Sequence, residues 1–594
     1  MSDTAAWKVR FTAPRVADLE WAAGAPDRLG VITNETGRWQ AWTWDLANDE
    51  RRQASTTDVG SEEVHVLPDG SGVLWWRDLT GNERGHWVVT SFEGDEQTLL
   101  PDLPQGWSVG LSLVPAAVAV GLATDDDIYR VFVAHGDEAP REVYAHRQPA
   151  GVGAEWPQGR GGLSADGSLL AIRHSEHGDI EKTALRVLDA RTGATLADLD
   201  DGETRLLPVA WSPVPGDQRL AIVHERSDWE RPAIWDLASG ERTDLDLELP
   251  GAVFPEDWFP TGEALLLRHA FEGTDRLYRY DMAPGELSLL LDPPGTVDTC
   301  AVRPDGEIWA KVHSSSAPPR WIDLSGREVV RLPGEGQPDG RPTRTFFFDN
   351  PHGERIQAFV VSPEGEPPFP TILSVHGGPN WHHTDGFDEE AQAYVDHGYA
   401  VLQVNYRGST GYGRAFRERL RADIGFPESE DVNAALDRLI AEGVADPDRV
   451  FLEGWSWGGY QATLNAGLRP ERWRAVCAGI PVGDYVAAHY ECSAPLRAWD
   501  VAMFGGSPME LPAMYHERNP MTYIDRVEAP ILMIAGEHDS RCPLGQVMTY
   551  AHGLRVRDKT VEMHLYPGGH HANGMDQQIK HVELVMDFFA RHAG

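Results

Sequence analysis

Basic residues are scarce in this chain of 594 residues: 52 Lys and Arg stand against 92 Asp and Glu, a formal net charge of −40. So negative a surface repels phosphate backbones and anionic headgroups, which excludes nucleic acid and membranes as expected partners. Two readings remain for the charge: solubility or salt tolerance, and attraction of cationic ligands such as a free peptide amine. Cysteine is scarcer still. Cys300, Cys477, Cys492 and Cys542 are too few for a disulfide framework and sit at no metal-ligand spacing. No run approaches about 18 apolar residues, and the opening MSDTAAWKVRFTAPR has no apolar h-region, so neither a membrane span nor a signal peptide is expected. A soluble cytoplasmic protein is the expectation, and no sequence feature marks an oligomeric state. The rest is ordinary globular composition, 41% hydrophobic and 24% charged, at a length that calls for two or more domains.

The first part of the chain repeats. A turn such as LPDGSG or SADGS leads into a short apolar strand, and a second strand ends in a turn such as DARTG or DLASG. These cores begin near Trp21, Leu67, Leu111, Leu163, Trp211, Trp258 and Val302. The spacing of about 44–52 residues is close to that of propeller repeats. A four-stranded blade cannot bury its faces alone, so the blades must stack radially. Residues 1–340 are therefore expected to form a seven-bladed β-propeller. Turn residues such as Asp69-Gly70 and Asp166-Gly167 are structural, because Asp and Gly tolerate the backbone angles of tight turns.

The pattern changes after the Pro- and Gly-rich stretch Leu332 to Pro342. Strands such as TILSV, AVLQVNY and PILMIAG alternate with helical segments such as DVNAALDRLIAEG. Residues 341–594 are expected to form an α/β-hydrolase domain, doubly wound around a mostly parallel sheet.

Within it, Gly454-Trp455-Ser456-Trp457-Gly458 is a G-x-S-x-G motif between a strand and a helix. The motif needs that context, because its serine stands exposed on a strained turn at a helix N-terminus. A serine hydroxyl needs a base, and the base needs orienting. In this fold the order along the chain is Ser, then Asp or Glu, then His. Asp539 is the candidate acid after PILMIAG, with Glu537 its competitor. His570 and His571 follow VEMHLY, and spacing alone leaves them even as candidates for the base. Metal catalysis is not expected: no H-E-x-x-H occurs, and His382-His383 lacks a carboxylate at ligand spacing. A tetrahedral oxyanion needs preset donors. One is the backbone N–H of Trp457, and the second comes from the loop Val375-His376-Gly377-Gly378-Pro379.

HGGP at His376, NYRGSTGYG at Asn405, GWSWGGY at Gly454, GEHDSRCP at Gly536 and YPGGHH at Tyr566 together resemble the prolyl oligopeptidase family of serine peptidases. The resemblance is strongest to its acylaminoacyl-peptidase and aminopeptidase-like branch. It implies that His571 is the base, Asp539 the acid and Gly378 the second oxyanion donor. It also gives Arg541 the role of holding a substrate carbonyl or carboxylate, for which a planar fork of donors is suited. Short peptides or aminoacyl amides are the implied substrates, admitted past the propeller, with no metal or organic cofactor. An esterase or small-amide hydrolase with the same triad is the alternative. Two departures stand out. HGGP lacks the Tyr of the prolyl oligopeptidase and dipeptidyl-peptidase branches, and Cys542 stands where the family commonly has Val. Glu491 is one candidate among many carboxylates for a substrate amine.

Overall fold

The computed structural model describes residues 6–154 and 160–593; the first five residues of the opening segment lie outside them. From Val16 to Val330 the described chain forms strands and turns without a helix. Each repeat is an antiparallel four-stranded meander, the first running Val16–Ala22, Ala25–Thr33, Gln40–Asp45 and Glu50–Gln53. The turn-strand cores read from the sequence supply the second strands, among them Gly72–Asp78, Leu169–His174 and Ile308–Ser314. The closing segments supply the third. The outermost strands are short and exposed, as in Glu96–Thr98, and carry little apolar signal. Two successive meanders fuse into one eight-stranded sheet where Arg84 pairs with Trp107 and Gly85 with Gly106.

Apolar side chains glue each meander to the next. Trp75 and Val88 pack on Ala22 and Ile32, while Leu111 and Val120 pack on Leu74 and Trp87. The last meander meets the first: Trp309 and Trp321 share a core with Leu29, Val31 and Trp44, and Trp321 Nε1 donates to the Val16 carbonyl at 3.3 Å. The ring thus closes on itself as a β-propeller, which buries every sheet face that a lone meander would expose.

The second domain is built on an eight-stranded sheet. Its strands are β1 (Arg344–Asp349), β2 (Arg355–Val361), β3 (Phe369–Val375), β4 (Ala400–Asn405), β5 (Ala445–Trp455), β6 (Ala475–Gly479), β7 (Ile531–Gly536) and β8 (Val561–Tyr566). The order is β1-β2-β4-β3-β5-β6-β7-β8, antiparallel at β1-β2 and β2-β4 and parallel from there on. The central strands are buried on both faces, which is why they read as unbroken apolar runs. Helices cover both faces over two separate cores. Because the strands run parallel, the loops after β3, β5, β7 and β8 emerge along one edge of the sheet, where ligands bind in such folds.

The boundary at residue 1 is corrected. A short helix, α1 (Val9–Thr12), buries Trp7 and Phe11 against Tyr394 and Phe588 of the second domain, and Arg10 pairs with Asp396 at 2.8 Å. The propeller begins only at about Val16. Trp7 and Phe11 lie one helical turn apart, so they present one apolar face, and the closed ring offers no surface to cover it.

Candidate active site

Strand β5 ends at Ser456, which caps the N-terminus of α2 (Trp457–Leu468) with φ 56° and ψ −116°. An L-residue held there is strained, and the neighbouring glycines explain how the turn closes around it. A Cβ on Gly454 would collide with the backbone of Gly458, and one on Gly458 with the Val375 carbonyl. The Ser456 amide donates to the Gly479 carbonyl at 3.0 Å, fixing the elbow to β6.

The loops after β7 and β8 are stitched together. Glu537 N–H donates to the Tyr566 carbonyl at 3.0 Å and His538 N–H to the Gly568 carbonyl at 2.9 Å. Between them, His570 Nδ1 lies 2.9 Å from Asp539 Oδ2 and His570 Nε2 lies 3.1 Å from Ser456 Oγ. His570, and not the His571 expected from the resemblance, is therefore the imidazole within hydrogen-bond reach of both groups. Tyr566 OH donates to the Gly569 carbonyl at 2.8 Å and holds Pro567–Gly569 in a tight turn, so residue 570 is the one that turns inward. The His571 side chain is exposed, its ring edge-on to that of His570 at 5.2 Å.

Asp539, not Glu537, faces the imidazole; Glu537 is exposed. Burial pushes the Asp539 carboxyl up. The His570 imidazole, with the Cys542 and Arg541 amides that donate to Oδ1 at 2.8 Å each, outweighs that push and holds the carboxyl below its usual value.

Trp457 and Gly378 both line the cavity in front of Ser456. Among the described residues neither amide donates to a protein acceptor, so both N–H groups are free for a ligand oxygen. Gly378 has φ 112°, a conformation that side chains rarely allow. The NYRGSTGYG segment builds the scaffold of this loop. The Tyr406 ring stacks on His376 at 4.1 Å, and Ser409 Oγ lies 2.9 Å from His376 Nε2. Asn405 brackets the backbone of His383, accepting at 2.7 Å and donating at 2.9 Å. Arg407 pairs with buried Asp431 at 2.9 Å.

Arg541 stands at the site's rim, but a propeller residue that no motif or spacing marks already holds it. Glu83 accepts from Arg541 at 2.5 and 3.0 Å and from the Ser540 hydroxyl at 3.2 Å. Glu491 lies elsewhere: it accepts the Gln546 amide at 3.1 Å, in the first turn of α3 (Leu544–Arg555), and does not line the cavity.

The cavity in front of Ser456 measures about 1020 Å³. Part of its wall is apolar and consists of Trp457, Val482, Tyr485, Cys492, Trp499 and Cys542. Asp500 lies among them, but its oxygens are taken by Tyr485 OH and His489 Nδ1, each at 3.2 Å. A second cavity of about 810 Å³ lies on the propeller side, and Glu62, Trp499, Arg541, His570 and His571 border both.

A propeller joined to an α/β-hydrolase sheet, with a serine on a strained elbow facing an Asp–His pair, defines a serine-hydrolase class of protein. The family model described as "Prolyl oligopeptidase family" matches residues 385–594, and the chain carries a domain of that family. Curated relatives include the acylamino-acid-releasing enzyme of Homo sapiens, 31% identical over 40% of this chain and 33% of that protein. Dipeptidyl aminopeptidase BIII of Pseudoxanthomonas mexicana is 23% identical over 99% of this chain and 91% of that protein. The chain aligns with only about a third of the length of the first curated relatives it matches. Among solved structures, a puromycin hydrolase superposes with a TM-score of 0.81 at 21% identity, covering 98% of this chain and 96% of the other. A Pyrococcus horikoshii acylaminoacyl peptidase gives 0.72 at 17% identity, over 99% and 97%. These likenesses extend the shared fold to the whole chain. No described helix is long and apolar enough to cross a membrane.

Proposed function

We propose that this chain is an exo-acting serine peptidase that cleaves short peptides or aminoacyl amides through an acyl-enzyme. The observation that carries this reading is the hydrogen-bonded series Ser456–His570–Asp539 at the wall of a cavity that propeller residues such as Ile32, Trp39 and Glu62 also line. Ser456 Oγ attacks the carbonyl while His570 takes its proton, and Asp539 orients the imidazole and stabilises its charged form. The Trp457 and Gly378 N–H groups hold the oxyanion. The amine leaves with the proton from His570, and water then releases the acyl group. No metal or organic cofactor enters these steps.

The apolar part of the wall favours an apolar or aromatic side chain next to the scissile bond. Asp500 does not select a basic one, because both its oxygens are occupied. Arg541 holds a substrate carbonyl after exchanging Glu83 for it. Glu62, exposed where the two cavities meet, is the carboxylate best situated for a free α-amine. The names of the relatives, an acylamino-acid-releasing enzyme and a dipeptidyl aminopeptidase, support exo-cleavage while differing over the amine. The four cysteines, all free and buried, support a cytoplasmic setting, which cell fractionation tests.

Comparing kcat/KM on free aminoacyl, acetyl-aminoacyl and simple ester chromogenic substrates tests the function. Turnover of simple esters alone would make the chain an esterase with the same triad. Glu62→Gln should raise KM for free-amine substrates and leave acetylated ones unchanged if the amine is free.

A further inference from the structure

Cys542 takes no part in the proposed proton transfers, yet it is buried beside them. Its Sγ, a ring nitrogen of His570 and a carboxylate oxygen of Asp539 all lie within 4.8 Å of one another. The three residues are 5%, 6% and 6% exposed, so the cluster is not a chance gathering of surface groups. Local folding explains it: the Cys542 amide donates to Asp539 Oδ1, which curls the Asp-Ser-Arg-Cys turn back on the carboxylate. Cysteine, imidazole and carboxylate are the ligand types that zinc prefers.

The geometry points to an inhibitory site at which Cys542, His570 and Asp539 take a thiophilic divalent cation, Zn²⁺ foremost, and thereby stop hydrolysis. The thiol loses its proton to solvent and ligates as thiolate. The cation then occupies a ring nitrogen that catalysis requires. At Nε2 it leaves the Ser456 proton without an acceptor. At Nδ1 it severs the hydrogen bond to Asp539. The second arrangement uses all three residues as ligands; the first keeps Asp539 on Nδ1, where it orients the imidazole as carboxylates do behind metal-bound histidines, and leaves Cys542 and His570 as the protein ligands. Water or Ser456 Oγ completes the shell on the cavity side, so the ion enters where the substrate would and competes with it. Metal binding itself needs only this geometry; its effect on hydrolysis rests on the proposed triad.

Two measurements test the site. In the first, Co²⁺ is titrated into Ser456→Ala, which keeps Cys542, His570 and Asp539 and turns nothing over. A thiolate-to-cobalt charge-transfer band is expected in the near ultraviolet, and it should vanish when Cys542→Val is added. In the second, buffered Zn²⁺ should inhibit the wild type competitively and EDTA should restore activity. Cys542→Val should raise the half-inhibiting Zn²⁺ concentration about tenfold or more, the scale on which loss of a ligand or its support acts. Absence of the band in Ser456→Ala overturns the site, and so does equal zinc sensitivity with and without Cys542. A chain that binds cobalt through Cys542 yet hydrolyses no peptide or amide upholds the site and overturns the peptidase reading instead.

Discussion

His570 and His571 are adjacent, and their difference is one of direction. Only His570 reaches both Ser456 and Asp539. His570→Ala should therefore lower kcat by about 10⁴-fold or more, the usual result of removing a triad member. His571→Ala should stay within about tenfold, since that side chain borders the cavity without touching the nucleophile. Burst and steady-state kinetics on one aminoacyl chromogenic amide separate the two; equal losses would reinstate His571. Spacing leaves the two histidines even, for a physical reason. Ser456 and Asp539 each follow a strand whose apolar run ends visibly, but Pro567-Gly568-Gly569 can turn in more than one way before the histidines. The turn is set by Tyr566 OH on the Gly569 carbonyl, a contact no spacing rule records. Glu83 is harder still, 458 residues from Arg541 and in another domain.

At the scale of elements, the elbow and the propeller strands differ in how they bear strain and charge. Ser456 holds a backbone that favours glycine, so Ser456→Gly should be more stable than Ser456→Ala by about 1 kcal/mol in denaturant unfolding. Equal midpoints would mean the turn is relaxed. His65, on the strand Val64–Val66, sits between Glu20 and Glu63 at 2.9 and 3.0 Å. Burial pushes its pKa down, but the two carboxylates win and carry it up to about 10. A base whose folded pKa is raised adds stability that is full below its unfolded value of 6.5 and is lost as pH rises through about 10. His65→Gln should accordingly lower thermal stability at pH 6 and approach wild type above pH 10. A constant gap across that range would remove the charge argument. The repeats themselves were legible because their second and third strands are apolar and are bounded by turns that run from Asp to Gly; the exposed outer strands and the α1 residues Trp7 and Phe11 were not, since four-residue elements carry no period of their own.

Taken whole, the molecule makes its catalytic loop partly out of its propeller. Gly81 lies against the turn that presents His570: a Cβ on Gly81 would collide with the backbone of Gly569, and one on Gly569 with the Gly81 carbonyl. Asp78 fixes this propeller loop by accepting the amides of Thr80 and Gly81 at 2.9 Å and of Glu83 at 2.7 Å, so it cannot easily retreat. Glu83 then reaches Arg541 and Ser540 from the same loop. Gly81→Ala should push the His570 turn away and lower kcat about ten- to a hundredfold, because displacements near 1 Å in a catalytic group have that effect. The substitution also strains a backbone at φ 93°, so a matched control is needed. Gly240, at φ 73° with open space around it, supplies one. Gly240→Ala should strain its turn and leave kcat within about twofold, since nothing couples it to the site. If both variants lose activity in proportion to their loss of stability, the propeller is only a lid. If Gly81→Ala alone loses kcat, the propeller is part of the catalytic frame, and domain separation would disarm the triad as well as expose it.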